Sequence, residues 1–256
     1  MAELECHQFP CRSDNFGVLI HHPETGATAS IDVPEAEAVR RALAATGWTL
    51  SDIFITHYHT DHTEGVLAIK GETGARVTGP RGEASKIDGL DGTVGHGDHL
   101  TLGNQTAEVF ETPGHTLGHI VLLFRDQRIA FTGDTLFSLG CGRVFEGTHD
   151  QMFQSMSLLM DWPDDTVIHC GHEYTKANAA FALSVDPDNT ALTHRAREVE
   201  TLRAANKPTL PTTIGAEKAT NPFLRFADPA IRARLNMAGA DDAAVFSALR
   251  TAKDRF

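Results

Sequence analysis

A short apolar run, Ile53-Phe54-Ile55, is followed at once by Thr56-His57-Tyr58-His59-Thr60-Asp61-His62, and no other stretch restricts the fold so strongly. Three imidazoles and a carboxylate fall within six residues. Burying a polar group without a partner costs about 2–7 kcal/mol, and burying a charge costs more. A divalent cation is the simplest partner for all four at once. The apolar run reads as a buried strand. The donors therefore sit on the loop leaving a strand end, where side chains can converge on one point. A polar turn that is histidine-rich by chance does not account for so dense a pattern.

At 256 residues the chain can bury a sizeable core, as one large domain or two smaller ones. Its 41% hydrophobic and 22% charged residues are those of an ordinary soluble globular protein. The start, Met1-Ala2-Glu3-Leu4-Glu5-Cys6, lacks a basic segment followed by an apolar run, so no signal peptide is expected. No run approaches about 18 uninterrupted apolar residues, so no membrane span is expected either. Cys6, Cys11, Cys141 and Cys170 form no Cys-x-x-Cys pair and read as reduced cytoplasmic thiols. A net charge of −12 disfavours nucleic acid and anionic membrane as partners. It also means that any anionic substrate needs a local basic patch.

Short strand-like runs fill the first two thirds: 16–20, 28–33, 53–55, 75–78, 106–111, 120–124, 128–131 and 166–169. Helical stretches at 36–45, 65–70 and 151–160 lie between them, and Asp126-Gln127 reads as a tight hairpin turn. Such a mix predicts an α/β fold of two packed sheets with helices outside. After about residue 173 the strand signals largely vanish. Leu192, Ala196, Val199 and Leu202 recur at helical spacing. Asp228-Pro229 is a cap and first-turn pair for a helix over 230–236, and Asp241 can cap a last helix with Val245 and Leu249 on one face. The predicted layout is a sandwich over 1–173 and a helical appendage over 174–256.

Three further segments complete the pattern: Thr112-Pro113-Gly114-His115-Thr116-Leu117-Gly118-His119, Phe131-Thr132-Gly133-Asp134-Thr135, and Cys170-Gly171-His172-Glu173-Tyr174-Thr175. Each puts a metal-competent side chain at a strand end, and each alone is weak. In this order and together with the first cluster they resemble the metallo-β-lactamase superfamily. The resemblance implies an αββα sandwich with a binuclear metal centre at one edge and a C-terminal helical domain. Carried over by motif, His57, His59 and His115 would hold one ion, Asp61, His62 and His172 the other, and Asp134 would bridge them. Imidazole and carboxylate suit zinc foremost, with iron or manganese as alternatives. Two such ions about 3.5–4 Å apart can share a water and lower its pKa from near 15.7 toward neutrality. Asp61 is read in addition as a group that orients the attacking water or accepts its proton, and Asp134 as catalytic through the bridge. His119 is either a partner that orients His115 or a satisfied structural histidine. His21, His22, His96, His99, His149 and His194 are read as surface or turn residues.

One scaffold hosts many activities, so the substrate must be read elsewhere. Gly140-Cys141-Gly142-Arg143-Val144-Phe145-Glu146-Gly147-Thr148, the Cys170–Thr175 segment, Asn221-Pro222-Phe223 and Arg250-x-x-Lys253-Asp254-x-Phe256 resemble the hydroxyacylglutathione hydrolases, or glyoxalases II, over essentially the whole chain. That family cleaves S-D-lactoylglutathione and related 2-hydroxyacyl thioesters to D-lactate and glutathione, the second step of methylglyoxal detoxification. It does so by attack of a metal-bridging hydroxide. A small-molecule substrate, a cytoplasmic monomer and no nucleic-acid or membrane partner are the matching expectations. Arg250 and Lys253 share a helix face at i, i+3 spacing and, with Arg143, form the implied clamp for the two glutathione carboxylates. Tyr174 would contact the tripeptide too. Phe145 stands where many members carry a tyrosine that hydrogen-bonds it. Without the resemblance, Arg250 and Lys253 would read as a solvated last turn that complements the helix dipole. The rival readings are a lactonase on the same metals, a single-iron glutathione-persulfide dioxygenase without the helical tail, and a non-catalytic protein braced by metal.

Overall fold

The computed structural model describes residues 3–256. They cluster into two compact units, residues up to Glu111 with Leu117–Gly133, and Thr112–Thr116 with Asp134–Phe256. The first contains β1 (Glu5–Cys11), β2 (Asn15–His21), β3 (Thr28–Ile31), α1 (Ala36–Thr46), β4 (Asp52–Phe54), α2 (Thr60–Thr63), α3 (Val66–Thr73), β5 (Arg76–Pro80), β6 (Gly92–Val94), β7 (His99–Leu102), β8 (Gln105–Glu111), β9 (Ile120–Phe124) and β10 (Ile129–Gly133). One sheet runs β1 to β6 in sequence order, antiparallel as far as β3 and parallel beyond it. Strands β7 to β10 form a second, antiparallel sheet.

Side chains alternate across a strand, and both faces of the first sheet are covered. Val18, Ile20, Ile31 and Phe54 face inward to Leu100, Leu102, Val109, Leu122, Phe124 and Phe131 of the second sheet. Their neighbours Leu19, Ile53, Ile55 and Val77 point the other way, to Val39 and Ala42 of α1 and Val66 and Ile69 of α3. This double burial accounts for the apolar run Ile53-Phe54-Ile55 at the end of β4, which leads straight into the donor-rich loop. Most of the expected strands and helices are present, with ends shifted by one or two residues. The expected hairpin turn is a 3₁₀ turn at Arg125–Gln127, closed by Arg128 at φ 53. His22, expected on the surface or in a turn, opens the turn after β2, where Gly26 N bonds its carbonyl at 2.9 Å, and its side chain is buried with Nδ1 2.9 Å from Thr25 Oγ1.

The second unit contains β11 (Leu136–Phe137), β12 (Gly140–Cys141), α4 (His149–Met160), β13 (Val167–Cys170), α5 (Thr175–Val185), α6 (Thr190–Ala204), β14 (Thr212–Thr213), α7 (Ile214–Thr220), α8 (Pro229–Arg234) and α9 (Asp242–Arg255). Most of its helices begin at a side-chain cap that the sequence offers. Thr148 and Gln151 form a capping box on α4, Asn189 caps α6, Asp228 caps α8 and Asp241 caps α9. Each such cap contributes about 1 kcal/mol. Phenylalanines join the helices: Phe153 lies 5.0 Å from Phe226 and 5.8 Å from Phe246, which lies 5.7 Å from Phe223. Among the described residues, no helix is long and apolar enough to cross a membrane.

His169 on β13 is buried, and loss of solvent lowers its imidazole pKa from 6.5 to about 4. Between those values the unfolded chain takes up a proton that the folded one refuses, so stability falls as pH drops through that window. A shift of this size is worth about 3 kcal/mol. Chelator-treated His169→Gln should therefore lose about 2–3 kcal/mol less than the parent between pH 7 and pH 4.5 in denaturant titrations. Equal losses would show that His169 is not the acid-sensitive group.

Candidate metal centre

In the first unit the donors follow β4 directly. Asp32, just past β3, sits beneath them in the left-handed region at φ 55 and is 3% exposed. Its Oδ1 accepts from Thr56 N at 2.8 Å, and its Oδ2 accepts from Thr56 Oγ1 at 2.9 Å and from His62 Nδ1 at 2.8 Å. A carboxylate only accepts, so His62 carries its proton on Nδ1 and keeps a bare lone pair on Nε2. The Thr56 hydroxyl spends its proton on Asp32 and so accepts from His57 Nδ1, 3.0 Å away. His57 Nε2 is left bare in the same way, 3.1 Å from His59 Nδ1. One buried carboxylate thus sets the tautomers of two histidines, the usual support for imidazole ligands.

Asp61 lies on α2, with its Oδ2 3.9 Å from His62 Nε2. Asn15 Nδ2 donates to its backbone carbonyl at 3.0 Å and to Oδ2 at 3.3 Å. Glu83, 1% exposed, accepts from Tyr58 N at 2.7 Å and from Gly118 N at 3.0 Å, which ties the histidine loop to the loop before β9. His119 is buried with its ring 4.8 Å from that of His57.

The second unit carries the remaining donors. His115 Nδ1 donates to the Arg143 carbonyl at 2.8 Å, so the neutral ring has its lone pair on Nε2, 3.3 Å from Asp134 Oδ2. His172 Nε2 lies 3.3 Å from the same oxygen. The three residues are 3–5% exposed. Tyr174 stacks on the His172 ring at 4.6 Å and 5°. Phe145 is 60% exposed, 5.3 Å from the His115 ring. Each of the seven expected ligands belongs to a group of histidine and carboxylate donors that could hold a metal ion. The bare nitrogens and the shared carboxylate suit a divalent cation of the zinc, iron or manganese kind.

The cations of the C-terminal helix are arranged differently from the expectation. Arg250 and Lys253 do share one flank of α9, but Arg250 lies on the face of Phe246 and Leu249 and is only 4% exposed. Its guanidinium donates to the Cys141 carbonyl at 2.9 Å and to Asp254 Oδ1 at 3.0 Å, and lies 5.2 Å from the Phe223 ring centre. Arg250 is therefore an internal brace, and the accessible cations are Arg143 and the half-buried Lys253. Arg143 pairs with Asp254 at 3.3 Å. Burial, then the charges of Arg250 and Arg143, hold the Lys253 ammonium pKa below the usual lysine range. Arg143 and Lys253 are thus the accessible cations beside Asp254 on an acidic chain.

Asp32, Thr56, Asn15 and Glu83 were not anticipated as site residues. The signal for Asp32 was an acid closing an apolar strand with no cation nearby in sequence.

Residues 24–172 match the metallo-beta-lactamase superfamily, and residues 173–256 match the hydroxyacylglutathione hydrolase C-terminus. A hydroxyacylglutathione hydrolase of Chelativorans sp. strain BNC1 is 54% identical over 253 residues, which is 99% of either chain. One from Brucella anthropi is 53% identical over 99% of this chain and 97% of its own. The solved structure of ETHE1 from Myxococcus xanthus aligns with a TM-score of 0.69 at 27% identity, covering 96% of this chain and 90% of that one. The fold is thus the α/β sandwich of that superfamily, with a helical C-terminal region. With near-complete coverage by relatives at this identity, the chain belongs to the hydroxyacylglutathione hydrolase family of the metallo-beta-lactamase superfamily.

Proposed function

We propose that the chain hydrolyses S-D-lactoylglutathione and related 2-hydroxyacyl thioesters to the free acid and glutathione, in the cytoplasm, as the second step of methylglyoxal detoxification. The observation that carries the reading is a complete donor set on a chain whose last third matches the family's own C-terminal segment. All four cysteines are free thiols, in keeping with a reducing compartment. Residues 1–173 serve as the catalytic part and 174–256 as the glutathione-binding part.

His57, His59 and His115 hold one divalent ion and Asp61, His62 and His172 a second, with Asp134 shared, zinc being the first choice of metal. Ions held there supply Lewis acidity, which brings the pKa of water toward neutrality and polarises the thioester carbonyl. Asp32 keeps His57 and His62 in the ligating tautomer, and the Arg143 carbonyl does the same for His115. Asp61, steadied by Asn15, orients the attacking water and takes up its proton. A thiolate is a good leaving group, so no general acid is needed. Arg143 and Lys253 bind the glutathione carboxylates with Arg250 braced behind them, and Tyr174 and Phe145 contact the tripeptide. Hydrolysis of S-D-lactoylglutathione, assayed with and without chelator, tests the reading. Turnover that is absent, or indifferent to chelator, would overturn it.

Clamp contacts form equally in ground and transition states, so their loss should raise KM and spare kcat. Charge-assisted bonds to carboxylates are worth about 1.5–3 kcal/mol, reduced toward roughly 1 kcal/mol when exposed at physiological salt. A five- to tenfold rise in KM is expected for Arg143→Ala or Lys253→Ala, on the order of that energy. Truncating Arg143 leaves its carbonyl on His115, so kcat should hold. The effect should fade at high salt and vanish for a thioester without the glutathione moiety. Because the Lys253 pKa is lowered, the parent's KM should begin to rise at a lower pH than an ordinary lysine would give. An unmoved KM in the double variant would show that this patch does not read glutathione.

A further inference from the structure

Between β11 and β12 the chain turns through Phe137-Ser138-Leu139-Gly140, with Leu139 in the left-handed region at φ 60. A branched residue rarely stays there unless its surroundings hold it. Three side chains from the C-terminal helices do so. Asn178 Nδ2 on α5 donates to the Ser138 carbonyl at 3.1 Å. Asn221, after α7, donates through Nδ2 to the carbonyls of Phe137 at 3.1 Å and Gly140 at 3.0 Å. Its orientation is settled by Phe223 N, which donates to Oδ1 at 3.0 Å. Glu217 on α7 accepts from Leu139 N at 2.7 Å and from Asn221 Nδ2 at 3.0 Å on one oxygen, and from Thr212 Oγ1 at 2.8 Å on the other. Glu217 and Asn221 are 1% and 0% exposed.

The root of the same hairpin carries metal donors. Leu136 pairs with Cys141 and Phe137 with Gly140, and Gly142 N then bonds the Thr135 carbonyl at 3.0 Å. A Cβ on Gly142 would lie 1.9 Å from the Asp134 carbonyl oxygen, so the returning backbone presses directly on Asp134. The next residue, Arg143, supplies the carbonyl that orients His115. The tip is pinned to the helices, and the root presents Asp134 and aims His115.

We infer that Glu217, with Asn221, is a positioning residue for the metal centre, fixing the hairpin from which Asp134 and His115 meet the metal. This rests on the reading of those two residues as ligands. It gives the C-terminal segment a second task beside holding glutathione, because it also sets the geometry of the donors. Glu217→Gln keeps the shape of the side chain but replaces one acceptor oxygen by a donor. With the NH₂ toward Leu139 two donors meet, and with it toward Thr212 that hydroxyl must turn from donor to acceptor; the carboxylate charge is lost either way.

The test uses the full chain. Zinc affinity by chelator competition should weaken about ten- to hundredfold in Glu217→Gln, the range seen when groups supporting metal ligands are changed. In chelator-treated protein the Leu139 amide should exchange faster than in the parent. A purely structural Glu217 would lower the melting temperature and leave zinc affinity within twofold of the parent, and that result overturns the inference. Should Glu217→Gln not fold, Asn178→Ala, which frees only the Ser138 carbonyl, should still bind zinc more weakly. Parental affinity there overturns it equally. Asp134→Ala in the same assay separates the layers. If it keeps parental zinc affinity, the ligand reading fails and this inference with it. If it loses zinc while Glu217→Gln does not, the positioning role alone fails.

Discussion

Asp134→Ala should lose on the order of a thousandfold in turnover of S-D-lactoylglutathione, at the upper end of what removal of one preorganised electrostatic group costs. The carboxylate is buried and stands 3.3 Å from both His115 Nε2 and His172 Nε2. Without it, the two imidazoles keep their lone pairs but lose the carboxylate that both face and that would offset the charge of bound cations. Metal content should fall along with rate. His149→Ala is the matched control, since His149 Nδ1 only meets Ser247 Oγ at 2.8 Å at the start of α4. Near-parental rates and full metal in both variants would make Asp134 a turn residue and nothing more.

His59→Ala should be nearly as severe, by a different route. His59 Nδ1 and His57 Nε2 point at one another across 3.1 Å, and only one of two ring nitrogens so placed can carry a proton between them. A cation held by both would take a lone pair from each ring in place of that hydrogen bond. With alanine at 59, the site keeps His57 but loses a neutral donor of the right softness, and metal affinity should drop by more than the roughly ten- to hundredfold typical of supporting residues. Because ligands must shed protons to bind metal, the loss should deepen as pH falls. Elemental analysis of the purified protein at neutral and mildly acidic pH decides it. Two metals per chain with ordinary turnover would remove His59 from the ligand set.

The parts of this fold that could be read from the sequence are those whose energy is local. Strand β9 is a continuous run of Ile, Val, Leu and Phe, β2 and β4 are rich in the same residues, and α6, α8 and α9 announce their caps in Asn189, Asp228 and Asp241. Strand β1, Glu-Cys-His-Gln-Phe-Pro-Cys, escaped notice because it lies at a sheet edge with little apolar content. Strands β11 and β12 have two residues each and carry no periodicity. At the candidate site, the ligating side chains cluster in sequence because they crowd strand-end loops. Their supports do not cluster: Asp32 reaches His62 across 30 residues and Glu83 reaches Tyr58 across 25. Arg250 shows the opposite error. Its spacing from Lys253 suggested a solvated pair, but Phe246 and Leu249 set the buried face of α9 and carry the guanidinium inward with them.

Asp32 has a consequence for anyone who would retune this centre. Its Oδ2 serves His57 through the Thr56 hydroxyl and His62 directly, and on the proposed ligand assignment those imidazoles belong to different ions. The basicity of one ligand in each position is therefore tied to a single carboxylate. A substitution meant to shift metal preference at one position will move the other in the same direction. A heterometallic pair would have to be selected through His59, His115 or His172, outside the reach of residue 32.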